Sequence, residues 1–373
     1  MYNTLLYIST IQFGYLIDAY KHCQYLKEEF KITYVCFDYG YPKIKETGIE
    51  IIYVPWDGSY VSNGINFMKT SISIIKSEKI DFIFAVYFPL VSLFKVLSPN
   101  KNIILDIRTG SVNISRNNRI IKNNMIRFES FFFKKISVIS ESLALKLKLN
   151  MKKVFILPLG SDILSTTNKL FNNLNLFYIG TLDGRNIHQT IYGLKVFLDR
   201  NSNPNVNLSY DIVGYGNEEC QNIVKKAILD TGLQKKVIFH GRKTHEESKY
   251  FFDNCNVGVS YIPITEYYDC QPPTKTFEYI KAGMVCIATE TQENKKIVNA
   301  YNGVLCKDSP EDFCDALAEV TRNLTKWDSN TIRKTLEPFN WAKISENLKK
   351  YILNHEQKSI LEKKAIIDPT LKK

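Results

Sequence analysis

Two doubly wound, Rossmann-like α/β domains facing each other across a cleft are the fold class this sequence predicts. Apolar runs of strand character alternate with segments of helical period, and glycines follow many of the apolar runs. The whole alternation starts again near Leu174. A chain of 373 residues is also long for one ordinary domain and suits two, each able to bury a core.

Composition narrows the class. Hydrophobic residues make up 45% of the chain, which fits a globular protein, and no apolar run approaches the ~20 residues needed to span a bilayer. The start, Met1-Tyr-Asn-Thr-Leu-Leu-Tyr-Ile, has no basic segment before its short apolar run and reads as a first strand, so secretion is not expected. Eight cysteines sit among apolar neighbours with no Cys-x-x-Cys pair. Reduced core cysteines of a cytoplasmic protein are the simplest account, and zinc is not expected. A net charge of +11 asks for an anionic partner: nucleic acid, an anionic membrane face or a phosphorylated substrate. No nucleic-acid-binding motif appears, so nucleic acid is set aside.

The first domain is expected over residues 1–165. Leu5–Ser9 reads as a strand and Gly14 as a turn glycine beyond its end, before a helix through Asp18 to Phe30. Ile32–Phe37, Ile49–Val54, Ile80–Val86 and Asn102–Asp106 read as further strands, with a helix near Phe67–Ser77. Such parallel sheets bind ligands beyond the carboxyl ends of their strands. Asp106 and Arg108, two apart, share a strand face and either clamp a polar ligand or form an ion pair. Between Asn113 and Lys135 stand Arg116, Arg119, Lys122, Arg127, Lys134 and Lys135 against Glu129, a net +5, interleaved with Ile120, Ile121, Met125, Ile126, Phe128 and Phe131–Phe133. That pattern suits either an anionic membrane surface or lipid-linked phosphate, or the charged outer face of a core helix. Polar Ser165–Asn175 reads as the linker.

The second domain is expected over residues 174–337. Strands Leu174–Gly180, Tyr210–Gly214, Val237–His240 and Val257–Ile262 each run into a glycine-bearing or polar turn. Gly214-Tyr-Gly216 is not a Gly-x-Gly-x-x-Gly fingerprint, since Glu219 holds the third position, so no nicotinamide enzyme follows. Residues 338–373 read as a terminal helix and a Lys-rich, mobile tail.

The most informative stretch is Cys270-Gln-Pro-Pro-Thr-Lys-Thr-Phe-Glu-Tyr-Ile-Lys-Ala-Gly283, followed by the strand Met284–Thr289. The prolines suit a helix start, Thr274 a cap and Gly283 a left-handed closing residue, so a helix is expected over Thr274–Ala282. Its N-terminus offers free N–H groups and a positive dipole end, with Lys275 in the first turn, and so suits phosphate. Glu278 stands one turn further on, about 6 Å along the axis, where its carboxylate suits ribose hydroxyls. The stretch reads as a holder of a nucleoside diphosphate, or as a plain proline-capped helix of an α/β unit.

Pro-Thr-Lys-Thr-Phe-Glu-Tyr-Ile-Lys-Ala-Gly before a hydrophobic strand resembles the donor-site helix of GT-B glycosyltransferases, of the family 4-like retaining type in bacterial surface polysaccharide (O-antigen or capsule) synthesis. In that family two glutamates eight positions apart hold the donor sugar and the ribose. Glu278 matches the second, whereas the first position is Cys270, with Asp269 and Glu266 close enough to replace it. Gly180-x-x-x-x-Arg185 resembles the family's diphosphate-binding turn, and Arg suits a diphosphate because its planar fork donates bidentately. The resemblance also implies that the first loop, at Gly14, approaches the diphosphate or the acceptor, and that the terminal helix crosses back to the first domain.

These readings imply a retaining hexosyltransferase with Arg185, Lys275 and Glu278 in its active site and Gly14, Gly180, Gly214, Thr274, Lys275 and Glu278 about the nucleotide. Two cations and a helix dipole make a metal unnecessary, and none is expected. The implied partners are a nucleotide sugar and a glycan or polyprenyl-diphosphate-linked acceptor, with the protein cytoplasmic and peripheral at the inner membrane face. Two alternatives stand beside this reading. One is a GT-B nucleotide-sugar epimerase, to which five scattered His residues give no support; the other is a non-catalytic nucleotide-sugar or polysaccharide binder, which Cys270 keeps open.

Overall fold

The computed structural model describes residues 3–77, 79–113, 115–200 and 207–353 and divides the chain into two compact units. Unit one comprises Met1–Leu159 with Trp341–Lys373, and unit two Gly160–Asn340. The tail expected from Gln357 onward lies outside the described residues. No helix among the described residues is long and apolar enough to cross a membrane.

Unit one is built on seven parallel strands: β1 (Asn3–Ile8), β2 (Phe30–Asp38), β3 (Ile49–Pro55), β4 (Phe82–Val86), β5 (Ile103–Ile107), β6 (Lys135–Val138) and β7 (Val154–Ile156). Their order is β3-β2-β1-β4-β5-β6-β7. The first crossover runs from β1 to β2 and the sheet then reverses to β4, so β1 marks the switch of direction. Strands such as β5, Ile-Ile-Leu-Asp-Ile, are buried along their whole length, as parallel strands covered on both faces must be. On one face the helix Ile17–Leu26 packs with the helix Trp341–Ile352, joining Ala19, Cys23 and Leu26 to Trp341, Ile344, Leu348 and Ile352 in one core.

Asp106 and Arg108 form an ion pair rather than a ligand clamp. Both are buried; Arg108 donates from Nε and Nη2 to Asp18 at 2.8 and 2.5 Å and from Nη1 to the Leu157 carbonyl at 2.7 Å. Asp106 accepts from Ser137 at 2.7 Å and stands 3.8 Å from Arg108 Nη1. The guanidinium donors are thus committed inside unit one, because a buried charge is tolerated only when paired.

Unit two carries six parallel strands: β8 (Leu174–Thr181), β9 (Leu208–Tyr215), β10 (Val237–Gly241), β11 (Val257–Ser260), β12 (Val285–Thr289) and β13 (Gly303–Cys306). The order β10-β9-β8-β11-β12-β13 again reverses beside the first strand of the unit. The stretch read as the linker, Ser165–Asn175, is packed into this unit. Lys169 is buried, its ammonium donating to the Phe252 and Asp253 carbonyls that end the helix His245–Asn254, and its N–H donates to Ser329 Oγ at 2.8 Å. A lysine on the last carbonyls of a helix satisfies groups the helix cannot pair itself, which is why this polar segment is ordered.

Candidate active site

The helix Thr274–Lys281 is fixed to the end of the unit-two sheet by its own side chains. Tyr279 is fully buried and its hydroxyl accepts from the Ile179 N–H at 2.9 Å, tying the helix to β8. Thr276 bonds Ser260 of β11 at 2.7 Å and donates to Asn294 at 2.9 Å. Gly258 makes this approach possible, since a Cβ there would stand 2.1 Å from the Tyr279 ring. Gly283, at φ +77°, closes the helix as expected. The start differs from expectation. Pro273 occupies the cap position in extended conformation and Thr274 is the first helical residue, with no side chain capping the end. Proline's fixed φ and absent N–H suit that place, leaving Thr274 inside the turn.

Two cations meet at this end of the sheet. Arg185 follows a turn from β8 in which Gly184 has φ +64°, and its guanidinium lies over the Tyr268 ring at 4.2 Å. Lys275 Nζ lies over the Tyr178 ring at 3.9 Å. Arg185 Nη1 and Lys275 Nζ are both withdrawn from solvent, and neither finds a hydrogen-bond partner among the described residues. Burial and the neighbouring Arg185 push the Lys275 ammonium down to about 7, against the opposing pull of Glu278. Burial likewise pushes the Glu278 carboxyl up to about 7, and Lys275 limits the rise. Unpaired buried nitrogens next to a like charge cost free energy, so their retention marks a place where an anion would complete the arrangement.

Gly180, Gly214, Thr274, Arg185, Lys275 and Glu278 therefore belong to one unit, while Gly14 lies in the other. Gly180 carries φ +143° and stands under Lys275, and Gly214 packs against it: a Cβ at Gly214 would lie 2.8 Å from the Gly180 carbonyl oxygen. Gly14 has φ +89°, and the space its side chain would need is filled by Ile44. Cys270 is buried, with its thiol 3.9 Å from the Tyr267 carbonyl. Of its suggested replacements, Asp269 accepts from the Gln292 N–H at 2.8 Å and Glu266 is exposed. The two rings under the cations, Tyr178 and Tyr268, were not legible as site residues in the sequence. Tyr178 lies within a hydrophobic strand, where its aromatic character signals only a strand residue.

Residues 173–323 match the family described as Glycosyl transferases group 1. No curated protein matches the chain in sequence. Among solved structures, sucrose-phosphate synthase from Thermosynechococcus elongatus aligns with a TM-score of 0.75 at 14% identity, covering 94% of this chain and 98% of that one. HepE from Anabaena, in complex with UDP and glucose, aligns at 0.71 and 13% identity, covering 94% and 100%. The lipopolysaccharide outer core galactosyltransferase WaaB, in its apo form, aligns at 0.67 and 14% identity, covering 95% and 100%. The likeness to these structures is one of fold, two Rossmann-like parallel sheets of seven and six strands. The chain has the GT-B fold and carries a glycosyltransferase domain over residues 173–323.

Proposed function

We propose that the protein is a retaining glycosyltransferase of bacterial surface polysaccharide synthesis, moving a hexose from a nucleoside-diphosphate sugar to a glycan or polyprenyl-diphosphate-linked acceptor. The observation that carries the proposal is the pair of unpartnered, solvent-withdrawn nitrogens, Arg185 Nη1 and Lys275 Nζ, at the end of β8 beside an uncapped helix N-terminus. In this role both cations and the helix end hold the diphosphate and neutralise the leaving group without a metal, while Glu278 accepts from the ribose hydroxyls. The Anabaena protein's complex with UDP and glucose supports a uridine nucleotide as the first donor to try.

In the proposed role the helix Arg116–Ser130 holds the acceptor side of the first domain against an anionic membrane face. What supports this is an exposed apolar face on a helix that buries Ile126 on its other side. Ile120, Ile121, Met125 and Phe128 are exposed, with Phe131 and Phe132 just beyond, while its single carboxylate, Glu129, is buried and accepts from the Leu90 and Ser92 N–H groups, each at 3.0 Å. Arg116, Lys122 and Lys134 flank the apolar face and are exposed. An apolar stripe rimmed by cations suits anionic lipid.

A panel of nucleotide sugars, tested for binding by calorimetry and for turnover with a lipid-linked acceptor, tests the function. Glu278→Ala removes charged hydrogen bonds worth roughly 1.5–3 kcal/mol and should weaken donor binding about tenfold or more with the fold intact. Binding without turnover across the panel would favour the non-catalytic binder, the reading that a buried Cys270 at the sugar-contact position supports.

A further inference from the structure

A chain of aromatic rings crosses the carboxyl-end rim of the unit-one sheet, outside any residue singled out above. Tyr15 follows β1; Tyr39 and Tyr41 follow β2; Trp56 and Tyr60 follow β3, and these three strands are neighbours in the sheet. The rings form a continuous series. Tyr15 and Tyr41 have centroids 4.9 Å apart, Tyr41 and Tyr39 6.0 Å, Tyr39 and Trp56 5.2 Å, and Trp56 and Tyr60 5.9 Å. Tyr15, Tyr41 and Tyr60 are exposed, Tyr60 at 76%, and Tyr39 and Trp56 are half-buried.

The series is held in place from below. Phe37, buried at the end of β2, meets Trp56 edge-on at 4.7 Å and Tyr39 at 5.7 Å. Gln12, also buried, accepts from the Tyr39 N–H and donates to the Tyr41 carbonyl, each at 2.8 Å, and Tyr15 donates its hydroxyl to the Pro42 carbonyl at 3.1 Å. The loops after β1 and β2 are thus tied together, so the rings are presented by a shared scaffold.

Charge decides what such a rim takes. Residues 38–60 contain Lys43 and Lys45 against Asp38, Glu46, Glu50 and Asp57, a net −2 in a chain of net +11. Lys43 is paired with Asp38 at 2.8 Å and Glu46 with Lys27 at 2.7 Å. This local balance opposes phosphate, nucleic acid and anionic lipid, in contrast to the cationic helix Arg116–Ser130. Ring faces carry the negative side of the aromatic quadrupole, which attracts polarised C–H groups, and Tyr hydroxyls supply hydrogen bonds at the ring edges. A pyranose presents both a C–H face and a hydroxyl edge.

We infer that the Tyr15–Tyr41–Tyr39–Trp56–Tyr60 rim is a carbohydrate-binding subsite for a neutral oligosaccharide, the growing glycan of the acceptor in the proposed function. The inference rests on that function for the role of the glycan, and on the rim alone for the binding. Successive sugar units stack along the rings, and the site lies wholly in unit one.

The experiment uses the full chain labelled with 5-fluorotryptophan, whose three tryptophans, Trp56, Trp327 and Trp341, give three ¹⁹F resonances. Neutral glucose, galactose and mannose hexasaccharides are titrated to millimolar concentration, with a hexasaccharide of galacturonic acid as the anionic control. At least one neutral oligosaccharide should shift the Trp56 resonance while Trp327 and Trp341 stay still. Tyr41→Ala, which removes an exposed ring and leaves the core alone, should weaken that binding about tenfold, and Trp56→Ala should weaken binding similarly when read by calorimetry. No shift with any neutral hexasaccharide, unchanged binding in both variants, or tighter binding of the anionic control overturns the inference. UDP-glucose binding is measured in parallel. Donor binding without a Trp56 shift overturns the rim alone, and a Trp56 shift with no binding or turnover of any nucleotide sugar overturns the transferase reading alone.

Discussion

The Lys275 ammonium is seated over Gly180: a Cβ added at Gly180 would stand 3.0 Å from Lys275 Nζ and 3.4 Å from its Cε, at a backbone φ of +143°. One residue lies next to the end of a strand and the other in the first turn of a helix, and the missing side chain makes room for the cation. Gly180→Ala would strain the backbone and displace the ammonium from its place beside Arg185. Affinity for UDP should fall about tenfold or more, roughly 1.4 kcal/mol, with circular dichroism showing the fold retained. Unchanged calorimetric affinity would remove Lys275 from the diphosphate site.

Nucleotide binding should take up a proton at pH 8. Burial beside Arg185 holds the Lys275 ammonium down to about 7 in the free protein, so at pH 8 it is mostly neutral, and a bound diphosphate restores its charge. Glu278, pushed up to about 7 by burial, is mostly ionised at that pH and leaves the uptake to Lys275. UDP affinity should therefore decline as pH rises above 7, by at most about tenfold per unit. Calorimetry in buffers of different ionisation enthalpy measures the uptake, and Lys275→Met should abolish it. The free protein follows the same linkage. Lys275 contributes increasing stability as pH rises from about 7 towards 10.5, because only the unfolded chain keeps its proton there, whereas Glu278 contributes the opposite slope between 4.5 and about 7.

Transfer should survive excess chelator and keep the donor's anomeric configuration. Two cations and a helix terminus supply the positive charge that a metal would otherwise bring to the leaving diphosphate. Activity lost to chelator and restored by Mg²⁺ or Mn²⁺, or an inverted product by NMR, would count against the proposed mechanism.

Attachment to vesicles containing phosphatidylglycerol should depend on the helix Arg116–Ser130. Each basic side chain near an anionic surface contributes about 1 kcal/mol, and exposed charge is screened within about 10 Å at 0.1 M salt. Arg116→Glu with Lys122→Glu should release the protein, as should Phe128→Ser with Phe132→Ser, while UDP binding stays unchanged. Arg119 is left out of this set because it donates to the Asn113 carbonyl at 2.8 Å. Failure of the unaltered protein to sediment with these vesicles at low salt would return the stretch to an ordinary solvated face.

The sequence made legible the two runs of alternating strands and helices, because strand and helix periods are local properties of neighbouring residues. It also determined the short helix before β12, through Pro273 and Gly283, and with it the spacing of Lys275 and Glu278. What those side chains meet depends on contacts between distant parts of the chain. Tyr178 and Tyr268 lie far along the chain from the cations they carry, and no local pattern brings residue 178 to residue 275; the β8–β11 adjacency does. The same holds for the helix Arg116–Ser130, whose charge and apolar residues were legible but whose orientation was not. Its carboxylate turns inward because the Leu90 and Ser92 N–H groups wait there, and that leaves the Phe128 ring on the outside. Sequence period sets which residues share a face, whereas partners brought from distant strands set which face is buried.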